Sequence, residues 1–431
     1  MKKLLFTSIL LIFIFSNALA QQEKGITGFD NWLNPWTDFT PNKTDYRKPN
    51  QIISGDITKD TKLLKRNTYL LIGDVFVTDS TTLSIEPGTV IIGDFKTKAS
   101  LTITNGSKIM AKGESTDPII FTSSQSLKKP GDWGGIFVLG DAPTTKEGGT
   151  ERLNYGLSPS NSKNISYGGD NPESNSGVME YVRIEYAGKR TKEYGYFNGL
   201  TLAGVGSETI LNNIMVSLCR GNSFSVKGGQ VELEKFVSYK SSANDYKVSN
   251  GAQCRLMNSL AVKSPYISGA QASRCIYALN NDDDEAFAEI NTTLAAENLT
   301  LINVSKDLSY DIQVGLVNEA IFIGKDANFS IDKSVISGFK PAVYLDSKIR
   351  VNSESLDKIQ FTSTYFNNCE GNIFVKNTTV NEDLENWYGS RAFNNVYSKG
   401  PDSETFIDAQ STDRPDYRLI INKIAASKTD N

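Results

Sequence analysis

Histidine is absent from all 431 residues. Its absence removes Ser-His-Asp and Cys-His catalysis, and every histidine-containing zinc site, from consideration. Carboxylate, lysine, arginine and tyrosine chemistry remains open. Cysteine is scarce: the chain has Cys219, Cys254, Cys275 and Cys369 and no Cys-x-x-Cys pair, so a four-thiolate metal site is not expected. An even count in an exported chain still raises the question of disulfides. Cys254 and Cys275, one coil apart on the repeat described below, could face each other in adjacent rungs. The alternative is a set of buried thiols stacked in a core. No charge of one sign dominates, with 45 basic against 49 acidic residues, and that balance disfavours a nucleic-acid binder.

Long apolar runs are also missing, with one exception at the start. Lys2 and Lys3 precede an apolar run from Leu4 to Phe15, and Ala18-Leu19-Ala20 supplies the small residues of a cleavage site. Residues 1–20 therefore read as a signal peptide, with a mature start near Gln21. The run is short for a membrane anchor and no second one follows, so no transmembrane span is expected after cleavage. Loss of Lys2 and Lys3 leaves 43 basic against 49 acidic residues, a formal charge of −6. The expected location is the cell surface, the extracellular space or the periplasm.

What the chain does have is a repeat. From Met179 to Gly188, Val182, Ile184 and Tyr186 alternate with Arg183 and Glu185, the period-two pattern of a strand with one buried face. Val216, Val237 and Leu260 mark further apolar runs about 22 residues apart, separated by turns carrying Gly204, Gly206, Gly228, Gly229 and Gly251. That spacing suits the coil of a parallel β-helix, whereas antiparallel hairpins would return at about 8–12 residues. Upstream, Leu83 and Ile85, Leu101 and Ile103, and Ile119 and Phe121 recur about 18 residues apart, which predicts tighter early coils. The fold class that follows is all-β, a right-handed single-stranded parallel β-helix with irregular terminal caps. One elongated domain is expected over residues 51–380, because stacked coils share a continuous core.

Around it lie three irregular pieces. Residues 21–50 carry Phe29, Trp32, Trp36 and Phe39 without any strand or helix period, and read as an N-terminal cap or as a platform for sugar rings. Residues 141–177 form a long loop rich in Gly, Ser, Asn and Pro, the first candidate for a ligand-facing lip. Residues 381–431, with Trp387, Tyr388 and Phe393, read as a C-terminal cap and tail.

The runs Ile53–Ile57 and Leu83–Ile91, the Gly131-Asp132-Trp133-Gly134-Gly135 motif, Tyr181–Gly188, and Asn198–Leu202 followed by Gly204-Val205-Gly206 together resemble a family of exported right-handed parallel β-helix proteins widespread in Bacteroidetes. The resemblance covers residues 51–305 and implies fold and export to the envelope or surface, with no assigned reaction. Where relatives carry an aspartate-rich cluster, this chain has Ser241-Ser242-Ala243-Asn244-Asp245.

Candidate site residues are few. Arg183 and Glu185, expected to face outward, are the nearest approach to a catalytic pair. Asp132 and Trp133 of the glycine motif are candidate binding residues. Asp282, Asp283, Asp284 and Glu285 form the densest acidic run and could offer oxygen ligands to calcium, although their spacing matches no calcium-loop motif and favours a solvated turn. Three functions are carried forward. The first is a non-catalytic surface scaffold binding a glycan or protein. The second is a polysaccharide lyase or glycoside hydrolase, an argument from fold alone. The third is an accessory subunit of a TonB-dependent outer-membrane receptor. If the leader reading holds, the protein recovered from an exporting host begins at Gln21, measured by intact mass; a retained Met1 overturns it.

Overall fold

The computed structural model describes residues 24–420 apart from 147, 154, 193, 268–272, 283–287 and 377–378. The expected signal peptide lies outside these. Thirty strands join into one hydrogen-bonded network in which almost every pairing is parallel and connects one coil to the next. The path is a right-handed parallel β-helix with three walls, the hand that crossovers between parallel strands adopt. One coil shows the plan: Gln230–Glu234 lies in the first wall, Val237–Tyr239 in the second and Tyr246–Ser249 in the third. They pair with Gln253–Met257, Leu260–Lys263 and Ile276–Ala278 of the next coil. Each wall climbs about 4.8 Å per coil.

The corner between the first and second walls is sharp and repeats. Tyr181, Asn213, Lys235, Asn258, Asn298, Lys333 and Ser363 all adopt the left-handed conformation there, with φ between 45° and 57°. Asparagine suits this position because its short polar side chain tolerates it. One bend per coil turns the chain without a loop.

Inside, identical positions stack in columns. In the first wall Val231, Cys254, Leu294, Phe329 and Ile359 are in register. In the third, Phe224, Tyr246, Ile276, Ile321, Val343 and Phe374 follow one another. These side chains are buried, each worth about 1.5–3 kcal/mol of transfer free energy.

Two spacings differ from the sequence reading. Leu83 and Ile85 belong to the first wall, Leu101 and Ile103 to the third, and Ile119 and Phe121 to the second wall of the following coil. The true partner of Leu83 is Ile109, and that of Ile91 is Phe121. The 18-residue interval thus measures the distance between walls, and the early coils are no tighter than the later ones. Similarly, Val237 pairs with Met215 and Leu260, while Val216 pairs with Ser238. The left-handed bend at Asn213 shifts the alternation, and the outward side of the second wall is itself apolar.

Cys254 and Cys275 do not face each other either. They belong to one coil, Cys254 in the first wall and Cys275 at the entry to the third, and all four cysteines are free and buried. The 21-residue step from one to the other includes a long corner, so they span less than a full coil. Burial pushes the Cys254 thiol up to about 12, which keeps it protonated and unreactive.

The far end is closed by the helix Glu382–Tyr388, capped by the Asn381 side chain, which accepts from the backbone of Asp383 and Leu384. Leu384 and Tyr388 are fully buried. The Tyr388 ring lies 4.3 Å from that of Phe374 and 5.2 Å from that of Phe361, and its hydroxyl donates to the Ile359 carbonyl at 2.9 Å. Tyr388→Ala should lower stability by about 3–5 kcal/mol in urea unfolding, whereas Arg391→Ala, at the exposed edge of the same segment, should change it by less than about 0.5 kcal/mol.

Candidate functional site

A β-helix has three outer faces, and this one treats each differently. The second wall is covered by the chain's own ends. Its outward residues Met215, Val237, Tyr239, Leu260, Val262, Ile302, Val335 and Tyr365 form one apolar cluster with Ile26, Leu33, Trp36 and Phe39 from the N-terminal segment and Phe406, Tyr417 and Leu419 from the C-terminal one. The N-terminal segment starts beside a late coil, where Gly25 N–H donates to the Lys333 carbonyl and Thr27 exchanges hydrogen bonds with the Asn258 side chain. It then runs back to the first coil. This is a strap laid along a side, where the sequence suggested a cap over the end or a sugar platform. Trp36 is buried by the cluster, with no face free for a ligand.

Under this strap lie Arg183 and Glu185. Both point away from the coil interior, as alternation predicts, yet they are buried, with Glu185 1% exposed. The Arg183 guanidinium donates to the Glu185 carboxylate at 3.0 and 3.2 Å and to the Tyr46 hydroxyl at 2.7 Å, and lies 3.4 Å from Asp38. Burial pushes the Glu185 carboxyl up, opposed by Arg183 and Thr122. The pair that resembled a solvated catalytic couple is a latch between the wall and the strap.

Asp132 and Trp133 are also enclosed. Asp132 accepts from Ser123 Oγ at 2.6 Å and from Lys129 N–H at 2.9 Å. Trp133 Nε1 donates to the Glu185 carbonyl at 2.7 Å, and its ring stacks on Phe121 within the main core. The ring occupies the space above Gly93, where a Cβ would come within 2.7 Å of it. At Gly135, φ is +133° and a Cβ would meet the Asn198 carbonyl at 2.1 Å. The glycines therefore let neighbouring coils approach, and the motif is a structural clasp with no accessible binding face.

The 141–177 loop folds over the upper part of the third wall. Leu153, Tyr155 and Tyr167 pack with Phe137, Leu139, Phe197 and Ala203 in a separate cluster. Asp282 lies at the lower margin of this cover, ion-paired to Lys227 and, at 2.8 Å, to Lys247. Burial would raise its carboxyl, but Lys247 and Lys227 overcome that and hold it well below the usual range. Committed to two ammonium groups, Asp282 has little to offer a calcium ion. Asp283, Asp284 and Glu285 lie outside the described residues. Among those described, no group of three potential ligands for a metal ion comes together. Asp245, the one acid of the Ser241–Asp245 run, is buried inside the coils, with Lys263 3.2 Å away.

Below that margin the third wall is left half-open. Tyr277, Phe322 and Tyr344 occupy the same outward position on three successive coils and are partly exposed. Their ring centroids are 5.1 and 5.6 Å apart, and the first two rings are tilted by 49°. The Arg274 guanidinium lies 4.8 and 4.9 Å from the Tyr277 and Phe322 rings and is held by Glu319 at 2.5 Å. Lys247 flanks Tyr277 one coil earlier. This strip escaped the sequence reading because the segments 264–275, 279–292 and 304–320 break the spacing. A local signal was present: Ile276-Tyr277-Ala278, Ile321-Phe322-Ile323 and Val343-Tyr344-Leu345 each place one aromatic between inward apolar residues.

Residues 55–407 match the model of the pectate-lyase-like β-helix domain, which is most of the chain. The chain belongs to the pectate-lyase-like β-helix family. None of the curated proteins and none of the solved structures compared with it matches. In this family member Arg183, Glu185, Asp132 and Asp282 are engaged within the scaffold, and the third wall carries a row of partly exposed aromatic rings. No helix among the described residues is long and apolar enough to cross a membrane. The latch can be tested directly. Arg183→Gln leaves Glu185 buried without its cation and should cost about 3–5 kcal/mol in urea unfolding, while Arg255→Gln on the exposed first wall should cost less than about 1 kcal/mol.

Proposed function

We propose that this protein is an exported, non-catalytic carbohydrate-binding β-helix that holds a glycan along the lower third wall. The observation that carries this reading is the strip of Tyr277, Phe322 and Tyr344 with Arg274 against two of the rings. Aromatic rings offer apolar area to the C–H faces of a sugar while the surrounding polar groups satisfy its hydroxyls. A coil rise of about 4.8 Å is close to the advance of one sugar unit, so a chain lying along the axis would meet a similar position at each coil. The family to which the chain belongs, named for its likeness to a polysaccharide-cleaving enzyme, favours carbohydrate over other polymers. The envelope or cell surface is the location that suits such a role.

The state of the described charges beside the strip supports binding without cleavage. A lyase needs a free Lys or Arg base, and a hydrolase needs a carboxyl that can donate a proton. Lys227 and Lys247 are ion-paired to Asp282, Arg274 is ion-paired to Glu319, and Asp282 is held ionised.

Affinity electrophoresis through gels containing neutral and acidic polysaccharides tests the proposal. At least one glycan should retard the wild-type chain, and Tyr277→Ala or Phe322→Ala should each weaken binding about 3- to 10-fold, about 0.5–1.5 kcal/mol per ring. No retardation on any matrix, or retardation that both substitutions leave unchanged, overturns it. Unsaturated or reducing ends appearing in the same mixtures, with or without calcium, would replace it with the enzymatic reading.

A further inference from the structure

A further cleft lies far from that strip, toward the opposite end of the coil stack. It is an open groove of about 810 Å³, lined on one side by Asp45, Tyr46 and Arg47 of the strap. The corners of two early coils form the rest, with Leu64, Lys65, Arg66, Asn67 and Thr68 from one and Glu86, Gly88 and Val90 from the next. The volume falls within the range of small-molecule sites, about 300–1,000 Å³.

Its charges divide into two groups. Two acidic side chains at the rim are already engaged: Glu86 holds Lys62 at 2.8 Å and accepts from Lys65 N–H at 3.0 Å, and Asp117 holds Lys65 at 2.7 Å, while Asp45 on the strap is exposed and makes no ion pair among the described residues. Hydrogen bonds from Lys62 and the Lys65 backbone keep the Glu86 carboxyl below its ordinary value, with Arg66 acting more weakly, so Glu86 remains an anion occupied by its neighbours. Arg47 and Arg66 have no ion-pair partner among the described residues. Both line the groove, Arg47 from the strap and Arg66 from the coil corner.

The groove is partly apolar. Leu64 and Val90 supply apolar surface. The Tyr46 ring is fixed because its hydroxyl accepts from Arg183 at 2.7 Å and contacts Glu185 at 3.3 Å. Two exposed guanidinium groups lining one groove, against a single unpaired acid and beside an aromatic ring anchored through its hydroxyl, suit a tetrahedral oxyanion carried on a ring-sized body. Guanidinium presents its donors in a fork that matches phosphate and sulfate.

We infer that this groove is a second binding site, for a sugar bearing a phosphate or sulfate group, with Arg47 and Arg66 holding the oxyanion and Tyr46 beside the ring. It depends on neither the strip nor the glycan bound there.

Isothermal titration of the full chain with glucose 6-phosphate, glucose 6-sulfate and glucose tests the inference. At least one of the two charged sugars should bind saturably, and glucose at least about tenfold more weakly. Inorganic phosphate or sulfate should compete with it, and raising the salt concentration should weaken it. If the ligand group is phosphate, affinity should rise as pH increases through about 6, where the second proton leaves; a sulfate site should show no such rise. The double variant R47Q/R66Q, altered at two exposed positions, should keep the wild-type melting temperature and lose affinity at least about tenfold. Tyr277→Ala should leave it unchanged, so failure of the strip and failure of the groove are read separately. The inference is overturned if neither charged sugar binds, if glucose binds equally well, if the free oxyanions do not compete, or if R47Q/R66Q binds like the wild type. Should that variant unfold, salt-independent binding by the wild type would overturn it alone.

Discussion

Everything about this chain's ends follows from the outward face of its second wall, which is apolar where a solvated β-helix face would be polar. Met215, Val237, Leu260, Thr300 and Val335 stand in one outward column on successive coils, apolar at every coil but that of Thr300. Left bare, such a column would be a contiguous apolar patch of the size that drives association. The N-terminal segment and the C-terminal hairpin cover it together. They also contact each other: Arg418 donates to the Gly28 and Phe29 carbonyls, and Asn31 donates to that of Pro415. The termini are thus part of one side wall, and the coil stack and its straps must form together.

The same constraint explains where the buried charges sit. Arg183 and Glu185 interrupt the apolar face at the coil where the strap carries Asp38 and Tyr46. An extended strap without secondary structure could slide along a uniformly apolar surface; a buried ion pair with its own hydrogen-bond partners gives it one register. Such pairs add little net stability but are costly to break, which suits a positioning device better than a catalytic one.

The legible parts of the sequence were those governed by period. Alternation at Val182, Ile184, Arg183 and Glu185 correctly separates inward from outward residues, and the family match agrees with the β-helix that this spacing implies. What alternation cannot convey is whether an outward residue meets water. That depended on a strap some 140 residues away in sequence, so Arg183 and Glu185 looked solvated and are not. Spacing failed at Leu83, Leu101 and Ile119 for a related reason: three walls share one apolar pattern, and an interval between walls resembles an interval between coils. The glycines of the Trp133 motif pointed to close backbone approach, but the surface the tryptophan packs on, Gly93 and Phe121, lies on the preceding coil and the adjoining strand and was invisible.

From Gly177 onward, every corner between the first and second walls is short and carries its left-handed residue, so this edge of the molecule is uniform. Length variation is pushed to the other two corners. The segment 304–320 leaves the corner between the second and third walls, and 346–358 leaves the corner between the third and first. The third wall is therefore the face flanked by irregular chain on both sides, and the half-exposed rings of Tyr277, Phe322 and Tyr344 lie between those excursions. A uniform solenoid face is flat and offers little to distinguish ligands; a face bordered by variable loops acquires depth and polar groups that differ from coil to coil. The placement of the loops, which the repeat itself dictates, favours recognition on the third wall, while the first wall, with its exposed Glu232–Arg255 pair at 3.1 Å, remains a solvated side.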